Sequence, residues 1–128
     1  MVAAVFDASA VLALLRDEPG ADLVEPYVGR AAISAVNLQE VVKELLLQGL
    51  PLTVAREILL ELRLEVRSHD EDAAYAAAAL HEQTKKYGRG LGDRSCMALG
   101  LALEVPVVTA DREWKKVKIA DLKFVHLR

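Results

Sequence analysis

Four acidic residues stand where predicted strands give way to predicted helices in this sequence. Asp7 and Asp111 each follow a short apolar run that predicts a buried strand. Glu40 lies in the first turn of the helix predicted after another such run, and Asp93 opens a further predicted helix. In a parallel α/β sheet, the strand ends and the helix starts share the carboxyl edge. We therefore expect the four carboxylates to meet at that edge.

A cluster of four carboxylates favours the binding of a divalent cation. Acidic side chains crowded in a partly buried site repel one another unless a cation compensates their charge. Oxygen ligands without histidine or cysteine favour Mg²⁺ or Mn²⁺ over zinc. The three histidines of the chain have no spacing that indicates a metal site or a catalytic triad. The expected cofactor is therefore Mg²⁺ or Mn²⁺.

Each of these acids also has a structural alternative. Asp7 and Asp111 could cap the helical turns that follow them, and Asp93 is a suitable N-cap for its helix. The alternative is strongest for Glu40, because Asn37-x-x-Glu40 fits a capping box and Glu40 points away from the apolar face of its helix. The shared edge is what favours one joint site over four separate caps.

Hydroxyl and basic side chains near the acids are candidate supporting residues. Ser9 and Thr109 each lie two residues from an acid. A hydroxyl there can hydrogen-bond a carboxylate or a metal-bound water, or only its own backbone. Two basic clusters flank Asp93 and Asp111, and we predict that they hold phosphates. Their members are Lys85, Lys86, Arg89 and Arg94 in the first cluster, and Arg112, Lys115 and Lys116 in the second.

Helices and strands alternate along the chain in the order typical of an α/β fold. Hydrophobic spacing and capping residues predict helices over residues 8–15, 21–28, 38–48, 53–63, about 70–85 and 93–103. Short apolar runs predict strands over residues 2–6, 31–34, 64–67, 105–109 and 123–127. Because helices separate the strands, we expect a mostly parallel sheet with helices on both faces.

The composition predicts a single soluble domain. A chain of 128 residues has room for one core. Its apolar runs are too short to span a membrane, and its lone cysteine, Cys96, makes no intrachain disulfide, so the cytoplasm is the expected compartment. A net charge of −3 argues against indiscriminate nucleic-acid binding. A nucleic-acid substrate would have to be held by local basic residues or through the metal.

The apolar content is high for so short a chain. Hydrophobic residues make up 53% of the sequence, and the mean hydropathy is +0.21. A small domain cannot bury all of this material, so we expect a homodimer with a largely apolar interface. The helices that contain residues 45–47 and 59–62 are the candidate interface.

Four sequence blocks resemble the signatures of PIN domains, most closely those of the VapC-type toxins of bacterial toxin–antitoxin pairs. The blocks are VFDASA at residues 5–10, ISAVNLQEV at 33–41, LGDRSCMAL at 91–99 and PVVTADR at 106–112. Their order and separation fit the family, as does the total length of the chain. The resemblance therefore covers residues 1–128 as one PIN domain.

The resemblance implies a fold, an activity and partners. The implied fold is a three-layer α/β/α sandwich with a five-stranded parallel sheet. The implied activity is Mg²⁺- or Mn²⁺-dependent cleavage of RNA by a homodimer that a small antitoxin protein inhibits. By position, the acidic metal ligands of the family map onto Asp7, Glu40, Asp93 and Asp111, and its hydroxyl near the last acid maps onto Thr109.

Two other functions compete with the ribonuclease. A haloacid-dehalogenase-like phosphotransferase would need Asp-x-Asp after the first strand, and here Ser9 stands in the second position. The more serious alternative is a PIN-like module that binds RNA or protein without cutting. A missing acid would favour that alternative, but all four acids are present.

Overall fold

A five-stranded parallel sheet forms the centre of the computed structural model, which describes residues 1–128. The strands lie in the order β3-β2-β1-β4-β5, and every neighbouring pair is parallel. They are β1 (Ala4–Phe6), β2 (Ala31–Ser34), β3 (Glu65–Arg67), β4 (Val107–Thr109) and β5 (Phe124–His126). The predicted mostly parallel sheet is confirmed. Four of the five strands are shorter than the sequence pattern indicates.

Six α-helices and two 3₁₀ helices connect the strands. The α-helices are α1 (Ala8–Leu15), α2 (Ala21–Val24), α3 (Ala35–Leu47), α4 (Leu52–Leu60), α5 (Glu71–Ala78) and α6 (Leu91–Leu103). The 3₁₀ helices cover Glu25–Tyr27 and Arg112–Lys116. No helix has the length and apolar character needed to cross a membrane.

Alternate residues of each central strand point into two separate hydrophobic cores. On β1, Phe6 belongs to the core beneath α1, α3 and α4, whereas Val5 belongs to the core beneath α6. On β2, Ile33 belongs to the first of these cores and Ala32 to the second. This period of two is what a strand buried on both faces requires, since successive side chains leave it on opposite sides. The two cores make the predicted three-layer α/β/α sandwich.

Several helix boundaries predicted from the sequence are wrong, for identifiable reasons. The helix predicted over residues 21–28 is split, because Pro26 has no N–H to continue the α-helical hydrogen bonds. Helix α3 begins at Ala35 rather than residue 38, because the Ser34 hydroxyl accepts a hydrogen bond from the Val36 N–H at 3.2 Å. Thr53 does not cap α4, which begins one residue earlier at Leu52.

The remaining differences concern the two helices that pack on the other face of the sheet. Helix α5 ends at Ala78, and turns replace the rest of the helix predicted to reach residue 85. Helix α6 begins at Leu91, with Gly90 as its N-cap, so Asp93 is the third residue of the helix and does not open it. The middle of this helix is buried from Ser95 to Ala98, whereas Leu91 at its start and Ala102 near its end are exposed.

We predict that truncating Ile33 destabilises the protein, because this side chain is fully buried in the first core. Ile33→Ala should lower the free energy of unfolding by about 2–5 kcal/mol, as a cavity in a packed core does. Chemical denaturation measures this change. The matched control is Leu60→Ala on α4, where the native side chain is 69% exposed, and it should cost less than about 0.5 kcal/mol. Equal losses in the two variants would contradict the assigned core.

Candidate active site

Asp7 and Asp111 lie at the carboxyl ends of neighbouring strands. Asp7 follows β1 and caps α1, since its Oδ1 accepts a hydrogen bond from the Ala10 N–H at 2.8 Å. Asp111 follows β4 and caps the 3₁₀ helix, since its Oδ1 accepts from the Glu113 N–H at 3.0 Å. Both residues therefore have the capping contacts that were the structural alternative. Each capping hydrogen bond uses one carboxylate oxygen, so the cap of the 3₁₀ helix leaves Asp111 Oδ2 free.

Two hydroxyls hold the Asp7 carboxylate in place. Ser9 Oγ donates to the Asp7 carboxylate, 2.7 Å from Oδ1 and 2.9 Å from Oδ2, and Thr109 Oγ1 donates to Oδ2 at 2.8 Å. The same hydroxyls accept from the backbone N–H groups of Ala110 and Asp111, at 2.9 and 3.0 Å. The expected hydroxyl–carboxylate hydrogen bonds are thus present. They also tie Asp7 to the loop that carries Asp111.

Glu40 is held by a contact that the sequence pattern misassigned. Asn37 is only 2% exposed, and its Nδ2 donates to Glu40 Oε1 at 2.8 Å and to the Gly92 carbonyl oxygen at 3.0 Å. Asn37 lies inside α3 and does not cap it, so the capping-box interpretation of Asn37-x-x-Glu40 is wrong. Asn37 was therefore missed as a site residue, although its spacing of three from Glu40 is the signal that places both on one helix face.

Asp93 lies in the first turn of α6, near Glu40. Its Oδ2 accepts a hydrogen bond from the Gly90 N–H at 3.1 Å. The preceding residue, Gly92, contacts Asn37 through its carbonyl, so the start of α6 and the first turns of α3 are adjacent. The structure therefore places all four acids at the carboxyl edge of β1, β2 and β4.

The charges of these acids are not neutralised by ion pairs. The four ion pairs of the structure involve other acidic residues. Burial raises the pKa of Asp7 from 3.8 to about 6, against the opposing hydrogen bonds from Ser9 and Thr109, and the charge of Asp111 adds to the rise. Burial also raises the pKa of Asp93, to which the charges of Asp111 and Glu40 contribute. The acids therefore lie close enough to repel one another.

The donor set suits a hard divalent cation. It offers carboxylate oxygens, none of which forms an ion pair, and burial raises the pKa of two of the carboxyls, those of Asp7 and Asp93. As placed, no three side chains of the histidine, cysteine, aspartate and glutamate types converge tightly enough to hold one ion. Holding an ion between them would need rotation of the side chains outside the core, of which Glu40 is the most exposed.

Cys96 lies directly below this edge. It is fully buried in α6, and burial raises the pKa of its thiol well above the ordinary value, with the charges of Asp7, Asp93 and Glu40 adding to the rise. A thiol in these surroundings stays protonated and unreactive. The cysteine is therefore part of the core and not a catalytic nucleophile.

The two predicted basic clusters are joined in the folded chain. Lys116 Nζ lies 4.9 Å from the ring centroid of Tyr87, which connects the 3₁₀ helix to the loop between α5 and α6. Lys85 is paired with Glu82 at 2.7 Å, and the Arg94 guanidinium donates to the Arg89 carbonyl oxygen. Four further basic side chains are exposed: Lys86, Arg89, Arg112 and Lys115.

An apolar groove lies between α3 and α4, away from the acids. Its volume is about 690 Å³, and Leu47 and Leu60 at its sides are 74% and 69% exposed. Basic side chains also line it, namely Lys43, Arg56 and Arg63. At one end the groove reaches Gln39, the residue before Glu40. We call this feature the leucine groove.

Comparison with known proteins gives one family and one fold. The PIN domain model matches residues 4–120. A toxin–antitoxin complex from Klebsiella pneumoniae matches with a TM-score of 0.76 at 18% identity, covering 98% of each chain. DNA-bound VapBC from Salmonella typhimurium matches with a TM-score of 0.73 at 18% identity, covering both chains completely. VapBC-1 from nontypeable Haemophilus influenzae gives 0.70 at 20% identity, covering 99% of this chain and 98% of that one. No curated protein sequence matches the chain.

We predict that the metal-free protein loses stability as the pH rises from about 4 to about 6. In that range Asp7 is ionised in the unfolded chain but still protonated in the folded protein, since its folded pKa is the higher one. The loss for this group approaches about 3 kcal/mol above pH 6. Asp7→Asn keeps an N-cap and removes the charge, so its stability should lack this component and exceed that of the wild type at pH 7.5.

Thermal melting of both proteins in chelator, followed across this pH range, measures the difference. Other acids titrate in both proteins and cancel in the comparison. If the melting temperatures of the wild type and the Asn variant changed equally with pH, burial would not raise the pKa of the Asp7 carboxyl.

Proposed function

The chain belongs to the PIN domain family, and we propose that it is a metal-dependent endoribonuclease that acts as the toxin of a toxin–antitoxin pair. One observation carries the proposal: Asp7, Glu40, Asp93 and Asp111 lie at one sheet edge, and none of them forms an ion pair. The solved structures with the same fold include complexes of toxins with antitoxins, which supports the biological setting.

The proposed reaction is hydrolysis of an RNA phosphodiester bond. These acids would hold Mg²⁺ or Mn²⁺, which would supply an activated water and offset the negative charge that develops on the phosphoryl oxygens. Asp7 and Asp93 are the proposed direct ligands, because their carboxyls are the two that burial makes reluctant to ionise alone. Glu40, which is exposed, and Asp111, which is partly buried, either bind the ion or orient the attacking water. Ser9 and Thr109 support the reaction by fixing the Asp7 carboxylate.

RNA phosphates are the proposed ligands of the joined basic surface. Exposed basic side chains lie on the segments that directly precede Asp93 and follow Asp111. Phosphate contacts of this kind orient a nucleic acid without reading its sequence. They would let a protein of net charge −3 bind RNA locally. A reducing compartment such as the cytoplasm suits both the substrate and the single unpaired cysteine.

A small antitoxin is the proposed occupant of the leucine groove. The groove is apolar at its centre and carries Lys43, Arg56 and Arg63, which suits an amphipathic helix with acidic flanks. Because Gln39 lines the groove and Glu40 follows it on the same helix, a partner that extends around α3 from the groove would approach the acids and could place a basic side chain among them. The homodimer expected from the sequence remains a separate prediction. If the leucines on α3 and α4 form the dimer interface, they cannot also bind the antitoxin.

We predict that the purified protein cuts single-stranded or looped RNA with Mg²⁺ or Mn²⁺, and that a chelator stops it. Zinc should replace these ions poorly, because the site offers no soft ligand. Glu40→Gln should lower the cleavage rate by at least about 100-fold, since the amide removes a charge that the cation needs. Glu44→Gln, one turn further along α3, is the matched control and should cut normally.

Gel analysis of labelled RNA measures both effects. Cleavage that survives exhaustive chelation would refute metal dependence. RNA that stays intact under every metal condition while still binding the protein would favour the alternative of a non-cleaving PIN-like module. Near-normal cleavage by Glu40→Gln would leave a site of three aspartates.

We predict that the variant Leu47→Asp with Leu60→Asp loses the antitoxin and keeps its own oligomeric state. The charges would lie on the apolar surface that the partner helix needs. Co-purification with the antitoxin encoded beside the gene measures the first effect, and sedimentation at about 10–50 μM, a concentration that populates a stable dimer, measures the second. A wild-type dimer that becomes a monomer in this variant would reassign the groove to self-association.

A further inference from the structure

Asn37 uses both of its amide hydrogens in contacts that connect α3 to α6. One reaches the Glu40 carboxylate at 2.8 Å, and the other reaches the Gly92 carbonyl oxygen at 3.0 Å. The side chain is almost completely buried, and its Oδ1 has no partner. Burying an amide with one unsatisfied atom is costly, so the two donated hydrogen bonds must be what keeps Asn37 in this place.

Gly92 provides the space that the Glu40 carboxylate occupies. A Cβ atom on Gly92 would lie 2.8 Å from Glu40 Cδ and 3.1 Å from Oε2, and would overlap Oε1. Gly92 is not among the glycines with positive φ, so its backbone conformation is open to any residue. It also lies in the first turn of α6, where alanine would favour the helix. The position therefore needs glycine for the room beside Glu40 and not for the turn.

We propose that Asn37 and Gly92 are positioning residues that form a cradle for the Glu40 carboxylate and set it beside Asp93. Asn37 pulls the carboxylate towards α6, and Gly92 leaves it the room to lie there. Glu40 is exposed, so without these two contacts its side chain would rotate freely in solvent. The inference rests on the proposed function for its purpose, since the cradle matters if Glu40 serves the metal site. The competing explanation is that Asn37 only joins two helices.

The Gly92→Ala variant tests the cradle without disturbing the fold. The atoms that a methyl group would meet belong to the free end of the Glu40 side chain, which can swing away at little cost. Displacing Glu40 breaks its hydrogen bond with Asn37, but alanine favours the helix more than glycine, so the melting temperature should stay close to that of the wild type. The affinity of the variant for Mn²⁺, measured by calorimetry, should fall by about 10–100-fold, the usual effect of losing a group that orients a metal ligand. RNA cleavage should fall in parallel.

The same substitution in a Glu40→Ala background is the control. With the glutamate gone there is nothing for the methyl group to displace, so Gly92→Ala should leave Mn²⁺ affinity unchanged and should raise the melting temperature. A further loss of affinity in this background would show that Gly92 acts through some other group and would overturn the cradle. Unchanged affinity in the single variant would overturn it as well.

Asn37→Leu tests the other half of the cradle. It has a similar volume and no amide, so Mn²⁺ affinity should fall as in Gly92→Ala, and combining it with Glu40→Gln should add little to the loss of Glu40→Gln alone. A purely structural asparagine would instead lower the melting temperature and leave Mn²⁺ affinity intact.

Failure of the proposed function has a different signature. If the wild type neither binds Mn²⁺ nor cuts RNA, the nuclease proposal fails. The cradle is then judged by the melting temperatures in chelator of Asn37→Leu, Glu40→Gln and the double variant. Additive shifts would show that the two residues do not interact, whereas coupled shifts would support the cradle as a property of the fold.

Discussion

A buried carboxylate at the end of the central strand is the constraint on which this structure depends. Asp7 lies where β1 stops and α1 starts, with β4 alongside. An ionised carboxylate there needs several donors, and the protein supplies them from its own hydroxyls and from the first turn of α1. These donors come from two strand–helix junctions that are far apart in sequence. Satisfying one acid therefore fixes the junction that carries another.

The sheet topology extends this arrangement to the other two acids. With β1 between β2 and β4, the helices that follow β1 and β2 begin beside the loop that follows β4. Helix α6 contacts β1, β2 and β4 and brings its first turn to the same edge. The three inner strands β1, β2 and β4 need only three or four residues to do this, because each is buried on both faces. The short strands and the crowded acidic edge are thus two consequences of one parallel sheet.

The sequence predicted much of this arrangement because its strongest signals are local. Short apolar runs marked the strands, and the acids or serine close after them marked their carboxyl ends. The position of Asp93 came instead from the glycines that precede its helix. What failed was the assignment of contacts within the four sequence blocks. Asn37 and Glu40 have the spacing of a capping box, but Ser34 caps the helix one turn earlier and leaves Asn37 to face α6. The spacing of two residues predicts that they share a helix face, but it does not predict which residue of another element they contact.

The leucine groove shows a different limit of prediction from sequence. The excess of apolar residues predicted an exposed surface, and the structure places it between α3 and α4. The shape of that surface depends on how the two helices pack, which hydropathy does not encode. The same holds for the basic clusters, which the contact between Lys116 and Tyr87 joins across a gap in sequence.

The hydrogen bond from Thr109 to Asp7 closes a loop of 102 residues. Contacts of such long range form late, because the entropy of closing the loop must be offset before they contribute. During synthesis Asp7 leaves the ribosome about a hundred residues before Asp111, so the nascent polypeptide carries no complete acidic cluster over that interval. In the proposed toxin, the growing chain could not attack any RNA until the β4 segment and Asp111 had been made.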